Sequence, residues 1–266
     1  MKRSSFTWKG YTISYIEEGK GQPLLFIHAF PFNALMWEPQ LKAHSDTYHV
    51  LALDLPGLGE SRPIPHALTM ELGADAAAAL LDHLSIQKTS LCGLSMGGYT
   101  ALAFAQQHPH RFTSLLLADT HAGADSPEKK QQRQQFIRQI QNQQTEALLD
   151  QFVGSTIGRT TKEKHPEIVT QTRKIMAMAA PKAIASALRG MAQRPDRFSV
   201  LQKLAVPLLV IVGEEDTLTP LSDAEFMADA CPDAQVKVIP YAGHMSNLEQ
   251  PQRFNQVIQG FLVKNA

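Results

Sequence analysis

The stretch Leu91-Cys92-Gly93-Leu94-Ser95-Met96-Gly97-Gly98-Tyr99 constrains this chain more than any other. A short apolar run, Thr89 to Cys92, precedes the glycines and has the character of a buried strand. An Ala- and Leu-rich run, Tyr99 to Gln107, follows and reads as a helix ended by His108-Pro109. A strand that becomes a helix across Gly93-x-Ser95-x-Gly97 must pass through a tight, strained turn. Small neighbours let strand and helix approach each other. The serine oxygen is then left at the tip, beside the free N–H groups of the helix start. The pentapeptide alone also occurs in ordinary Gly-rich turns, so its meaning rests on this context. A serine hydroxyl is a weak nucleophile and needs a histidine base and an orienting acid.

The rest of the chain supplies strands that end in polar loops. Phe6–Trp8 and Tyr11–Glu17 alternate around Lys9-Gly10 and predict a half-exposed β-hairpin. Leu24–Ile27 and Val50–Leu53 are apolar on both faces, as central parallel strands are. They end in His28-Ala29-Phe30-Pro31 and in Asp54-Leu55-Pro56-Gly57-Leu58-Gly59. Trp37–Ala43 predicts a short helix and Thr69–Leu84 a longer one with a small Ala face. Leu115–Ala118 closes on Asp119, Leu208–Val212 runs towards Asp216, and Val236–Ile239 precedes His244. A last helix has Pro251 near its start and buries Phe254, Val257, Ile258 and Phe261. From Ala124 to about Val200 the pattern changes to Gln-rich helical periodicity without a convincing strand. The expected organisation is an α/β core of residues 1–123 and 201–266 with a helical cap insertion at 124–200. Strands alternating with helices imply a mostly parallel sheet covered on both faces, whose sites gather at the carboxyl ends of the strands.

Charge and cysteine usage remove several function classes. Among 266 residues, 25 Lys and Arg balance 25 Asp and Glu, which argues against nucleic acid or an anionic membrane surface as partner. The start carries no signal-peptide pattern, and no apolar run is long enough to span a bilayer. Cys92 and Cys231 form no Cys-x-x-Cys pair, so zinc and thiol redox chemistry are not expected, and a cytoplasmic setting is. Cys92 reads as a small buried filler. Gly57-x-Gly59 lacks the third glycine of a dinucleotide fingerprint and no Walker lysine follows, so it reads as a tight loop. No metal and no cofactor are expected. The oligomeric state is not legible.

His244 in Tyr241-Ala242-Gly243-His244 and Asp216 in Gly213-Glu214-Glu215-Asp216 each have a bland alternative, as loop and turn residues. Their order with Ser95, each in a loop after a strand, is the Ser, Asp, His order of α/β-hydrolases. Asp119 also follows a strand and is the competing acid. Glu214 and Glu215 are expected to be solvated.

These motifs resemble the α/β-hydrolase family over nearly the whole chain. The branch is that of carboxylesterases, 3-oxoadipate enol-lactonases and cofactor-free haloperoxidase-like serine hydrolases. The resemblance rests on His28-Ala29-Phe30-Pro31, Asp54-x-Pro56-Gly57-x-Gly59-x-Ser61, Gly93-x-Ser95-Met96-Gly97-Gly98, Asp216-x-x-x-Pro220 and Gly243-His244. It departs at Ala29, where the family usually has glycine. The resemblance implies an α/β-hydrolase fold with a mostly parallel eight-stranded sheet. It also implies Ser95 as nucleophile, His244 as base, Asp216 as its acid, and the backbone N–H groups of Phe30 and Met96 as oxyanion hole. His28 is expected to tie its loop. The implied substrate is a small or medium carboxylic ester or lactone. A carbon–carbon bond hydrolase with the same triad, or a slow-turnover ligand sensor on the same fold, are the alternatives. Met176, Met178, Leu188 and Met191 are candidate pocket residues, and Phe30 and Trp37 candidate apolar surface near the serine. Five arginines of the insertion region (Arg133, Arg138, Arg173, Arg189 and Arg194) are candidates to meet an anionic substrate. None is singled out by its spacing, so a general esterase is favoured over a dedicated enol-lactonase.

Overall fold

The computed structural model describes residues 1–265 and opens with an antiparallel hairpin, β1 (Lys2–Trp8) and β2 (Tyr11–Glu18). The chain turns at Lys9-Gly10, where both residues have positive φ. β3 (Gln22–Ile27) follows, then a 3₁₀ turn over Ala34–Trp37 and α1 (Glu38–His44). The expected helix over Trp37–Ala43 is α1, with the 3₁₀ turn added ahead of it. Asn33 caps the 3₁₀ turn by accepting from the Leu35 N–H at 3.0 Å, and Pro39 lies in the first turn of α1. β4 (Tyr48–Leu53), α2 (Met70–His83), β5 (Thr89–Leu94), α3 (Met96–Gln107) and β6 (Phe112–Ala118) complete the first half. Thr69 starts α2 by accepting from the Leu72 N–H, as an N-cap residue does.

Between β6 and the next strand the chain is helical throughout: α4 (Pro127–Gln141), α5 (Thr145–Thr156), α6 (Arg159–Lys164), α7 (Pro166–Met176), α8 (Pro181–Gln193) and α9 (Phe198–Gln202). Ser126 caps α4, and Pro127 takes the first helical position, where a missing N–H costs nothing. The α/β alternation resumes with β7 (Leu208–Gly213), α10 (Leu221–Asp229), β8 (Ala234–Ile239), the short α11 (Ser246–Glu249) and α12 (Pro251–Lys264).

The eight strands form one sheet in the order β1-β2-β4-β3-β5-β6-β7-β8. Only the pairings β1·β2 and β2·β4 are antiparallel. Leu24–Ile27, Val50–Leu53 and Leu208–Val212 are essentially inaccessible to solvent, which is why their sequences do not alternate. In the opening hairpin β1 is half-exposed as expected, and only β2 departs from that expectation. Ile13 to Ile16 are all buried, so both faces of β2 are covered there. Cys92 lies wholly inside β5, where burial first, and then nearby Asp119, push its thiol up and keep it protonated. Among the described residues, no helix is long and apolar enough to cross a membrane.

Candidate active site

β5 lies inside the sheet between β3 and β6, and Ser95 follows its last residue directly. The serine has φ 55° and ψ −115°, a strained conformation for a residue with a side chain. The turn is possible because its neighbours are glycines. A Cβ on Gly97 would collide with the Ile27 carbonyl of β3, and one on Gly93 with the Gly97 carbonyl. Strand and helix therefore touch through bare backbone. The Ser95 N–H is satisfied by the Ala118 carbonyl at 2.9 Å, and the Thr120 hydroxyl donates to the Ser95 carbonyl at 2.8 Å. The hydroxyl remains for other work.

That hydroxyl lies 2.8 Å from Nε2 of His244, and the histidine's Nδ1 lies 2.8 Å from Oδ2 of Asp216. His244 and Asp216 are buried, Ser95 partly so. With the imidazole proton on Nδ1, His244 donates to Asp216 and accepts from Ser95. The Asp216 carboxylate is further held by the Leu218 N–H at 2.8 Å, the Thr219 N–H at 3.2 Å and the Thr219 hydroxyl at 2.7 Å. Burial by itself opposes the charged form of both partners. For His244 the nearby Asp216 carboxylate outweighs it and raises the imidazole above its ordinary pKa. For Asp216 the pairing with His244 and the Thr219 and Leu218 bonds outweigh it and hold the carboxyl below the usual range.

Asp119 is fully buried behind this chain. It accepts from the Gly213 N–H at 2.8 Å and pairs with the Ser246 hydroxyl, and it makes no hydrogen bond to His244. Burial and the neighbouring Asp216 raise its carboxyl well above the usual range. Of the two competing acids, the structure joins Asp216 to the histidine. Glu215 departs from the solvated expectation: it accepts from the Thr160 N–H at 2.8 Å and the Thr160 hydroxyl at 2.5 Å, and so clasps the start of α6. Glu214 is exposed and accepts from the Tyr241 N–H.

The two loops before the elbow are tied by buried polar groups. His28 Nε2 accepts from the Leu55 N–H at 3.0 Å, and Nδ1 donates to the Ala29 carbonyl at 2.8 Å. Asp54 accepts from the Ala34 and Glu60 N–H groups and pairs with Arg3 at 2.5 Å, while Gly59 packs on its carboxylate. These residues are spent on loop structure, and Gly57-x-Gly59 serves as a tight loop. Ala29 stands outside the left-handed region, so this backbone accepts alanine without strain. In the backbone hydrogen bonds of these loops neither the Phe30 nor the Met96 N–H donates.

A cavity of about 220 Å³ opens over Ser95 and His244. Its apolar wall includes Phe30, Phe136, Phe152, Leu188 and Met191. Phe152 of α5 meets Phe30 and Phe136 edge to face, at ring-centroid separations of 5.3 and 5.1 Å. Leu188 and Met191 therefore stand where the sequence placed them. Met176 is buried away from the cavity, Met178 is exposed beside Asn33, and Trp37 packs between Phe26 and Phe254 in the core. The expectation for these three fails because Met176 faces the interior from α7, Met178 lies in the turn after that helix, and Trp37 closes a 3₁₀ turn packed on the core.

The polar wall comes from α4, which places Lys129, Gln132 and Arg133 along the cavity at helical spacing, and from Gln151, Ser155 and Thr156 of α5. Of the five candidate arginines only Arg133 lines this cavity. Arg173 pairs with Glu146 and Asp150, Arg138 is exposed, and Arg189 lies in a separate groove. Arg194 is buried, pairs with Asp125 at 2.7 Å and stacks over the Tyr99 ring at 3.9 Å. Arg133 pairs with the same Asp125 at 2.5 Å, so one carboxylate serves two guanidinium groups. Neighbouring His121 is pushed down to about 3 by burial first and then by Arg194, and stays neutral. Tyr99, Phe152 and Lys129 were not singled out from the sequence as pocket residues. Among the described residues, no group of three or more His, Cys, Asp or Glu side chains is placed to hold a metal ion.

A protein-family model described as alpha/beta hydrolase fold matches residues 22–251. The chain is 30% identical to 3-oxoadipate enol-lactonase 2 of Acinetobacter baylyi, over 98% of this chain and 97% of that one. It superposes on a thermophilic esterase from Thermogutta terrifontis, solved with malate bound, with a TM-score of 0.95 and 37% identity, covering 100% and 99% of the two chains. The enol-lactonase from Burkholderia xenovorans superposes with a TM-score of 0.90 at 26% identity, covering 98% and 100%. With this match and the strand order, the chain belongs to the α/β-hydrolase family.

Proposed function

We propose that this protein is a serine hydrolase of small or medium carboxylic esters or lactones, working through an acyl-enzyme on Ser95. The observation that carries the reading is the unbroken chain from Ser95 Oγ through His244 to Asp216, both links 2.8 Å, at the floor of a cavity. Ser95 gives its proton to His244 Nε2 as its oxygen bonds to the ester carbonyl carbon. The carbonyl oxygen takes the negative charge and is held by the Phe30 and Met96 N–H groups. His244 returns the proton to the leaving oxygen, and the C–O bond breaks. Water then repeats the sequence in reverse roles and frees the acid. Asp216 keeps the proton of the resting imidazole on Nδ1 and stabilises the imidazolium. Residues 124–200 act as a cap domain that supplies most of the cavity wall.

The cavity is smaller than the roughly 300–1,000 Å³ of drug-sized sites, which favours short acyl groups. Its walls carry Lys129 and Arg133 and no carboxylate. Asp125 offsets only one of the two guanidiniums it touches, so the cluster of Asp125, Arg133 and Arg194 keeps one positive charge. This balance favours substrates bearing a free carboxylate remote from the scissile bond, in addition to neutral esters. It narrows the preference for a purely general esterase. The named relatives, an enol-lactonase and an esterase solved with a dicarboxylate, fit that range.

The direct test is labelling with a fluorophosphonate followed by peptide mass spectrometry. The adduct is expected on the peptide holding Ser95. Ser95→Ala is expected to lose roughly 10⁴- to 10⁶-fold in turnover of p-nitrophenyl acetate with its melting curve preserved. An adduct on a different serine, or wild-type turnover in the variant, would reject the reading.

A further inference from the structure

The buried carboxylate of Glu249 makes no hydrogen bond to Ser95 or to the His244 ring and does not line the cavity, yet three backbone N–H groups converge on it. Oε1 accepts from Gly243 at 3.0 Å and from Met245 at 3.1 Å, the two residues flanking His244. Oε2 accepts from Gly158 at 2.9 Å, in the joint between α5 and α6. A second bond crosses the same seam, from the His244 N–H to the Thr156 carbonyl at 2.8 Å. The two backbones touch directly. A Cβ on Gly158 would come within 2.7 Å of the Gly243 nitrogen, and one on Gly243 would meet the Gly158 nitrogen in turn.

We infer that Glu249 is a positioning residue that locks the Thr156–Gly158 joint of the helical insertion to the loop carrying His244, so that seating the insertion sets the reach of the imidazole to Ser95. The inference rests on the reading of Ser95 and His244 as nucleophile and base. A side chain that only accepts is required, because all three partners donate. The insertion also carries Phe152, Leu188 and Met191 of the cavity wall, so wall and base come into place together. A displacement of about 1 Å at a reacting group costs on the order of 100-fold in rate, which makes the lock a kinetic device and not only a stabilising one.

Glu249→Gln separates the two halves of the bridge. Its amide NH₂ must face either one N–H (Gly158) or two (Gly243 and Met245), and the first choice leaves fewer donors unmet. The variant therefore keeps the histidine loop and releases the insertion. Gly158→Ala opens the same seam from the other side: its Cβ would come within 2.7 Å of the Gly243 nitrogen and of Glu215 Oε2, and within 3.1 Å of Glu249 Oε2, while deleting no hydrogen-bonding side chain. Both are compared with Glu71→Gln, which strips the carboxylate partner from buried Arg197 at a different junction of insertion and core. The readouts are kcat and KM on p-nitrophenyl acetate, the rate of fluorophosphonate labelling at Ser95, and the melting temperature. In Glu249→Gln and Gly158→Ala, kcat and labelling rate are expected to fall together by roughly 10- to 100-fold, with KM changed by less than about twofold. Glu71→Gln is expected to melt earlier with kcat unchanged. Wild-type kcat in both seam variants overturns the inference, as does a loss that only follows melting temperature on the same line as Glu71→Gln. Should Glu249→Gln not fold, Gly158→Ala decides alone. Failure of wild-type protein to label at Ser95 rejects the underlying reading instead, and is seen before any variant is made.

Discussion

Replacing Asp216 with asparagine tests the candidate triad most sharply, because the structure dictates which way the new amide must point. Oδ1 accepts two backbone N–H groups, from Leu218 at 2.8 Å and Thr219 at 3.2 Å. An amide NH₂ in that place would confront two buried donors, so the asparagine oxygen stays there. The NH₂ then occupies the Oδ2 position and donates to His244 Nδ1, at the 2.8 Å now spanned by the carboxylate bond. With Nδ1 accepting, the ring proton moves to Nε2, which faces Ser95 at 2.8 Å. That nitrogen can no longer take the serine proton. The expected loss is about 10⁴-fold in kcat, or about 5 kcal/mol at 1.36 kcal/mol per factor of ten. The assay is p-nitrophenyl acetate turnover with fluorophosphonate labelling as a second measure of serine reactivity. Asp119→Asn serves as the paired control. Asp119 bonds Gly213 and Ser246 rather than the histidine, so its loss is expected to lower stability and to cost less than about tenfold in kcat. If Asp119→Asn abolishes turnover and Asp216→Asn stays within tenfold of wild type, the assignment of the acid is refuted.

Other expectations concern pH, charge and shape. The base must be neutral, and His244 is raised, so kcat/KM is expected to climb with pH through a midpoint above the ordinary histidine value of about 6.5, and Asp216→Asn is expected to move it down. The pair's stabilisation is bounded on both sides. The Asp216 part is lost as pH falls through its lowered value, and the His244 part as pH rises through its raised one, which denaturant midpoints of wild type against Asp216→Asn would follow. Arg133→Gln is expected to lower kcat/KM for p-nitrophenyl hemisuccinate by roughly 10- to 100-fold while p-nitrophenyl butyrate changes little, the scale of one hydrogen bond to a charged group; equal losses on both would sink the anionic preference. Leu188→Ala or Met191→Ala is expected to shift preference towards longer acyl chains by about 1 to 3 kcal/mol per methylene. Met176→Ala is expected to cost about 2 to 5 kcal/mol of stability and leave acyl preference alone.

The sequence was most legible where one residue type answers one local demand. Continuous apolar runs identify Leu24–Ile27 and Leu208–Val212 as strands buried on both faces. The glycines at 93 and 97 announce a turn that no Cβ could share, and polar residues just past strand ends announce the site. What sequence concealed depends on relations between distant elements. Trp37 looks as suitable a pocket residue as Phe30, yet it belongs to the core with Phe26 and Phe254. Arg133 is indistinguishable in composition from Arg138, and only the rotation of α4 separates an inward side chain from an exposed one. Glu215 reads as a solvated acid because its partner Thr160 is far along the chain, and Glu249 gives no sign of its bond to the equally distant Gly158. Periodicity carries no trace of such a partner. The Gly243-to-Glu249 spacing is the only local hint, since it returns a carboxylate to the loop it left.

The insertion leaves the sheet after β6 and returns at β7, and these two strands are neighbours, paired from Leu115 to Ala118 with Leu208 to Ile211. About ninety residues therefore span a gap of one strand spacing. To the core, this excursion is a single closed loop whose entropic cost grows only with the logarithm of its length, about 0.6 kcal/mol for each doubling. The segment can lengthen, shorten or be replaced without disturbing strand order. A chimera that grafts another helical segment between Gly123 and Leu201, keeping Asp119 and Thr120, is then a route to new acyl specificity. The graft has to bring its own counterpart of the Gly158 joint, because the histidine loop is fastened there.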